Sequence, residues 1–307
     1  MSVKFIISFD CEGKWGMLDR EASIFDQRLS RKNLISCYRL IFDILKENQI
    51  KGVFAFVGAF TSKREYAIKW LEHLYRSSSA HRDWLRPVFE DKCKDHFMDQ
   101  FMPELIEMTK SNNHQHEFTT HGFTHLPWDK MDDVSCKLEL ESILDWTKVN
   151  GLNCSTIIFP RNIVNHLNLL KDAGFLGYRR PPNLLFGNRK LNRSYSLFRE
   201  FIPFFAHSDM ARKSSGLIEI PGDFFLNWRS GLRRLVPSSI TLNRLSWALR
   251  HAKKHNGIVH LWFHPHNLIT GNNQVQLFRR AIEKIVKMRD KGQLEIITQH
   301  QLSVEKG

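Results

Sequence analysis

Two histidines four residues apart stand near the middle of the chain, in the stretch His121-Gly122-Phe123-Thr124-His125. The β-favouring run Glu117-Phe118-Thr119-Thr120 precedes them and Leu126-Pro127-Trp128 follows, so the pair reads as two metal ligands on the loop that leaves a strand. Such a site needs a carboxylate to complete it. The best candidates lie at the amino terminus, where an apolar run over residues 3–9 ends in Asp10-Cys11-Glu12-Gly13. Side chains on an extended chain alternate, so Asp10 and Glu12 share one side and Cys11 takes the other. Two carboxylates there leave room for two jobs.

A further imidazole comes from near the carboxyl end. Along a strand over 258–263 the same alternation puts His260, Trp262 and His264 on one side, and of these His264 alone lies at the strand end. Pro265 biases His264 toward an extended backbone. His266 shares its parity but follows the proline, where the chain is expected to turn away.

The elements that must position these groups alternate between strand and helix. After the first strand, Ser30 is a candidate cap for a helix whose apolar residues Leu34, Tyr38, Ile41 and Leu45 recur at helical spacing. An apolar strand over 52–57 follows. Residues 62–115 are polar and broken by Pro87 and Pro103, which predicts short helices over the mouth of a barrel. Beyond the histidine pair, a helix over about 132–149 leads to a β-branched strand at 155–159 that ends in Pro160-Arg161-Asn162. A helix at 163–173, a short strand at 176–179 before Pro181-Pro182, and a segment 183–215 without clear period come next. A strand at 217–220 ends in Pro221-Gly222-Asp223. Helix 242–254, strand 258–263, a helix with Phe278, Ala281, Ile282, Ile285 and Met288 on one face, and strand 294–298 complete the pattern. Asp10, Glu12, His121, Arg161, Asp223 and His264 all fall at or just beyond the carboxyl end of an expected strand, and in a barrel that is one rim, where such folds carry their chemistry.

Composition narrows the class. With 42% hydrophobic and 25% charged residues the chain reads as an ordinary globular protein, and no apolar run is long enough to span a bilayer. The first residues lack the length and cleavage site of a signal peptide. Five scattered cysteines, odd in number and without a Cys-x-x-Cys pair, fit a reducing cytoplasm. A net charge of +13 favours anionic partners such as nucleotide sugars, acidic glycans or a phospholipid surface. Nucleic acid is not expected, because the basic residues are dispersed and no binding motif accompanies them. Trp15, Trp128, Trp228 and Trp262 lie near the motifs, where they could stack on sugar rings or simply fill the core.

Together these stretches resemble the polysaccharide deacetylase (NodB-homology, carbohydrate esterase family 4-like) superfamily. Phe9-Asp10-Cys11-Glu12 resembles its first motif and His121 to His125 its histidine motif. Pro160-Arg161-Asn162 resembles the arginine motif, Pro221-Gly222-Asp223 the fourth, and Leu261 to Pro265 the final histidine motif. The usual first motif has adjacent aspartates; here Cys11 intervenes, as in a divergent branch with an acid-x-acid pattern. The resemblance implies an α/β fold, a distorted and incomplete (β/α) TIM-like barrel of about seven strands. It would be one domain over 1–307 with insertions at about 62–115 and 183–215.

For the site, the resemblance implies Glu12, His121 and His125 as ligands of a divalent metal, most simply zinc, and Asp10 as base. Arg161 would hold Asp10 ionised, Asp223 would orient the protonating histidine, and His264 would protonate the leaving amine. The activity it implies is removal of an N-acyl group, an N-acetyl in the simplest case, from an amino sugar in biosynthesis of a bacterial surface polysaccharide such as an O-antigen or capsule. The expected substrate is anionic and nucleotide-linked, lipid-linked or part of an oligosaccharide. Two other classes stay open at this level: a degenerate barrel that binds glycan without turnover, and an amide hydrolase of a small non-sugar substrate.

Overall fold

Strand β1 (Val3–Cys11) sits in the middle of the sheet, and its sequence suits that place: every residue but Lys4 is buried, as in a parallel strand covered on both faces. It pairs in parallel with β9 (Ile258–Phe263) along Lys4 to Phe9. Its other edge is shared by β10 (Leu294–Ile296), at Val3 to Phe5, and β2 (Val53–Phe56), at Ser8 to Cys11. Outward from β2 come β3 (Glu117–Thr120), β4 (Thr156–Ile157), β5 (Gly177–Arg180), β7 (Leu217–Pro221) and β6 (Arg212–Ser214), while β8 (Phe224–Phe225) lies beyond β9. β6 runs antiparallel to β7, and the other ladders are parallel. β1 to β5 with β7 and β9 form the seven-stranded spine that was expected, and β6, β8 and β10 are short additions to it.

The computed structural model describes residues 2–89, 96–112, 116–181, 197–198, 200–202 and 208–307. Of the two expected insertions, residues 90–95, 113–115, 183–196, 199 and 203–207 lie outside the described residues, as do Cys93 and Pro182. Among the described strands no ladder joins β7 to β9, so the curled sheet stops short of a closed barrel. Side chains bridge the seam. His260 Nδ1 donates to the Pro221 carbonyl at 3.0 Å, and Trp262 Nε1 donates to that of Gly222 at 2.9 Å.

Helices cover the outside of the sheet through the apolar faces that the sequence shows. In the helix Arg31–Glu47, Leu34, Tyr38, Ile41 and Leu45 are all buried; Ser30 is its N-cap residue, but its side chain makes no capping bond. In the helix Gln274–Arg289, Leu277, Phe278, Ala281, Ile282 and Ile285 face inward. The aromatic content gathers beneath β1, where Phe9 stacks on Phe54 at 4.7 Å and meets Phe263 edge-on at 5.2 Å. Truncating such a buried ring typically costs about 3–5 kcal/mol. No helix among the described residues is long and apolar enough to cross a membrane.

The polar insertion after β2 folds into the helices Arg64–Ser77, Ser79–Phe89 and Glu104–Ser111. Pro103 caps the last of these, whereas Pro87 lies inside its helix, in the final turn, and does not break it. These segments lie against the rim: Trp15 Nε1 donates to the Gln100 carbonyl at 3.0 Å, and Trp84 Nε1 to the Thr124 carbonyl at 2.8 Å. Two elements are shorter than the sequence suggests. β4 stops at Ile157, and Phe159 instead caps a 3-10 turn at Pro160–Asn162. The next helix waits until Leu167, because Arg161, Asn162 and His166 all adopt positive φ, which no continuous helix tolerates.

Candidate metal centre

Parallel pairing puts the carboxyl ends of β1, β3 and β9 on one rim, so Glu12, His121 and His264, each the first residue past its strand, meet there. Glu12, His121 and His125 are all buried, and their ligand atoms lie within 4.8 Å of one another. Glu12 Oε2 is 2.8 Å from His125 Nε2 and 3.4 Å from His121 Nε2, and the two Nε2 atoms are 3.2 Å apart. Strand parity acts as expected: Asp10 and Glu12 turn into this cluster, while Cys11 packs away from it, its thiol pushed up by burial.

The loop that carries the histidines depends on left-handed backbone. Gly122 has φ +82°, and a Cβ there would come within 3.1 Å of Glu139 Oε1 and 3.2 Å of Pro160 Cγ, so glycine is required. His125 has φ +63° and folds back toward His121. His121 Nδ1 donates to the Ile158 carbonyl at 2.6 Å, which leaves Nε2 as the lone-pair nitrogen facing Glu12. Two imidazole nitrogens and a carboxylate thus converge in a buried space. The donor set Glu-His-His suits a divalent cation of the zinc kind. Burial would raise the Glu12 carboxyl, but the surrounding imidazoles of His264, His125 and His121, to the extent that they carry a proton, hold it well below its ordinary range.

Asp10 is gripped by Arg179 and not by Arg161. Arg179 Nη1 and Nη2 each donate to one Asp10 oxygen at 2.7 Å, Nη2 also donates to Asn162 Oδ1 at 2.9 Å, and the guanidinium lies 4.2 Å from the Trp262 ring. Burial pushes Asp10 up, yet the charge and hydrogen bonds of Arg179, with His121 and His264, bring it below the usual value. The network continues inward. Arg179 Nη1 donates to Ser8 Oγ at 3.2 Å, Ser8 faces His260 Nε2 at 2.8 Å, and burial, with the charge of Arg179, pushes His260 down to about 3. With His260 Nδ1–H donated to Pro221, the neutral ring offers Nε2 to the Ser8 hydroxyl.

Arg161 corrects the expectation drawn from the sequence. Its backbone sits at φ +56°, and its side chain runs outward to Asp19, with bonds of 2.8 and 2.5 Å, and over the Trp84 ring at 5.1 Å. What the Pro160-Arg161-Asn162 stretch contributes to the centre is Asn162. Arg179 obeys the rule that selected the other residues, a polar side chain at the carboxyl end of a strand, and that was the signal available for it. Asp223 stands 3.8 Å from Arg180 Nη2, and Glu12 Oε1 lies 3.5 Å from His264 Nε2.

The two candidate proton donors separate by environment. The His264 side chain is 25% exposed at the mouth of the centre. His266 is buried behind it, its ring stacked on His264 at 5.2 Å, and burial together with the charge of His264 pushes it down to about 4. Of the four tryptophans near the motifs, Trp15, Trp128 and Trp262 are core residues, and only Trp228 reaches part-exposure.

No protein-family model matches the sequence, and no curated protein matches it. Solved structures do. A Mycobacterium smegmatis protein assigned as a polysaccharide deacetylase superposes with a TM-score of 0.66 at 16% identity, over 99% of this chain and 90% of that one. A Pseudomonas aeruginosa PAO1 protein with the same assignment gives 0.53 at 10%, over 99% and 89%. The 4-alpha-glucanotransferase from Thermococcus litoralis gives 0.56 at 12%, spanning 100% of this chain but 41% of that one. At these identities the likeness is one of fold, and this chain has the incomplete (β/α) barrel of the polysaccharide deacetylases. The same barrel serves the glucanotransferase, so any functional reading rests on the site.

Proposed function

We propose that this protein is a metal-dependent N-deacetylase that hydrolyses the N-acyl group, in the simplest case N-acetyl, of an amino sugar. The observation that carries the reading is the buried convergence of Glu12, His121 and His125 beside the Arg179-paired carboxylate of Asp10. A divalent ion held by those three ligands would act as Lewis acid on the acyl carbonyl and acidify an attacking water. Asp10, kept ionised by Arg179, accepts the proton that water loses as its oxygen bonds to the acyl carbon. His264, part-exposed at the mouth, donates a proton to the nitrogen as the carbon–nitrogen bond breaks, which releases a carboxylate and a free amine. Part-exposed Trp228, and Phe225 whose ring lies 6.3 Å from that of His264, offer aromatic surface for a sugar ring.

The net charge of +13 supports an anionic substrate, nucleotide-linked, lipid-linked or part of an oligosaccharide, and we assign the step to cytoplasmic assembly of a bacterial surface polysaccharide. The test is acetate release from a panel of N-acetylated nucleotide sugars and glycans, with metal content measured on the same samples. Turnover that requires the metal, with a KM for anionic substrates that rises with salt, supports the reading. Stoichiometric metal without release of any acyl group would instead point to a barrel that only binds glycan.

A further inference from the structure

Glu139, on the helix Asp133–Val149, is fully buried, yet its carboxylate serves another element. Oε1 accepts the backbone N–H of Phe123 at 2.7 Å and of Thr124 at 2.9 Å. Oε2 accepts the Thr124 hydroxyl at 3.0 Å and faces His81 Nε2 at 3.1 Å. His81 is also buried and its Nδ1 has no hydrogen-bond partner among the described residues, so the Nε2–H form is the one that satisfies the pair. Trp84, from the same helix as His81, ties down the Thr124 carbonyl from outside. The residues gripped in this way are Phe123 and Thr124, which lie between His121 and His125.

We propose that Glu139 is a positioning residue for the metal centre. It holds the histidine loop in its bent form before any ion binds. Left-handed backbone at His125, which is not a glycine, persists only where the surroundings over-determine it, and one carboxylate that accepts the amides of Phe123 and Thr124 supplies that constraint. It adds to the bonds that the Gly58 and Ala59 amides donate to the Gly122 and Phe123 carbonyls in holding together two imidazoles whose Nε2 atoms stand 3.2 Å apart. The inference rests on the reading of His121 and His125 as ligands, and its first test does not use the metal.

Hydrogen exchange on metal-free protein reads the loop directly. In Glu139→Ala the amides of Phe123 and Thr124 should exchange at least tenfold faster, with β1 and β9 as protected as in wild type. Zinc affinity, measured by competition with a chromophoric chelator, should fall ten- to a hundredfold, the usual effect of removing an outer partner of a ligand. Glu139→Gln should stay within a few fold of wild type in loop exchange and zinc affinity, because its amide oxygen still accepts from both backbone groups and its NH2 can donate to the Thr124 hydroxyl oxygen. Glu139→Asp keeps the charge but draws the carboxylate off the amides, so it should resemble alanine, and it serves if alanine fails to fold. Unchanged loop exchange and zinc affinity in folded Ala or Asp variants overturns the proposal. Wild-type protein that binds no zinc would overturn the metal reading, while the exchange result would still decide the role of Glu139.

Discussion

Arg179 reaches across the inside of the curled sheet from β5 to close a two-pronged hydrogen bond on Asp10 of β1, and the side chains of both are at most 2% exposed. Removing one partner leaves the other charge buried and alone. Arg179→Met should therefore destabilise the protein by about 3–5 kcal/mol in urea unfolding and lower kcat by a hundredfold or more. Arg161→Met removes a partly exposed pair with Asp19, worth about 0–1 kcal/mol, and a contact with the Trp84 ring, and should leave kcat within a few fold of wild type. Equal losses in the two variants would contradict this division.

The pH profile provides a second test of the same pair. Asp10 is depressed in the folded protein, so its contribution to stability is present above the ordinary carboxylate pKa of about 3.9 and is lost as pH falls through the lower folded value. As the base it should put the acid limb of kcat/KM below about pH 4. In Arg179→Met burial acts unopposed by that charge, and the limb should move up by roughly one to three units. An acid limb that stays put in the variant would separate Asp10 from the base role.

Metal content should distinguish the carboxylates and the histidines. Alanine at His121 or His125 should bring bound metal well below one equivalent and abolish hydrolysis, measured by elemental analysis and acetate release on one preparation. Glu12→Gln should weaken metal binding, whereas Asp10→Asn should keep the metal and lose turnover. The reverse pattern for Asp10 and Glu12 would mean that their roles are exchanged.

His264→Ala should retain the metal, lose on the order of a hundredfold in kcat and alter the alkaline limb of the profile. His266 is buried and pushed down to about 4, so it is neutral at pH 7 and unsuited to protonate an amine. His266→Phe should act mainly on stability, read as a shift in Tm. Wild-type turnover in His264→Ala with an inactive His266→Phe would transfer the acid role to His266.

Much of the site was legible because it depends on local rules. Alternation along β1 predicts that Asp10 and Glu12 face one way, and the break after each strand predicts that His121 and His264 sit on the rim. Residue type then states the chemistry, since two imidazoles and a carboxylate at strand ends can converge on a cation. Elements with a strong period, such as Arg31–Glu47 and Ile258–Phe263, follow from the same kind of information.

The choice of Arg179 over Arg161 could not be made that way. Arg161 lies beyond the end of β4 and Arg179 near the end of β5, but β5 is four places from β1 in the sheet, and only the curl of the sheet brings its inward side chain across to Asp10. Arg161 is turned outward by a left-handed backbone that no local pattern announces. Glu139 was hidden for a similar reason: in Lys137-Leu138-Glu139-Leu140-Glu141 it reads as one charge of a solvated helix face, and its burial comes from the histidine loop and His81 of a separate helix closing over it. The sequence by itself determined which groups stand at the ends of strands and what they can bind. The tertiary structure decided which of them meet, because contacts across a curved sheet join residues far apart in the chain, and periodicity carries no information about them.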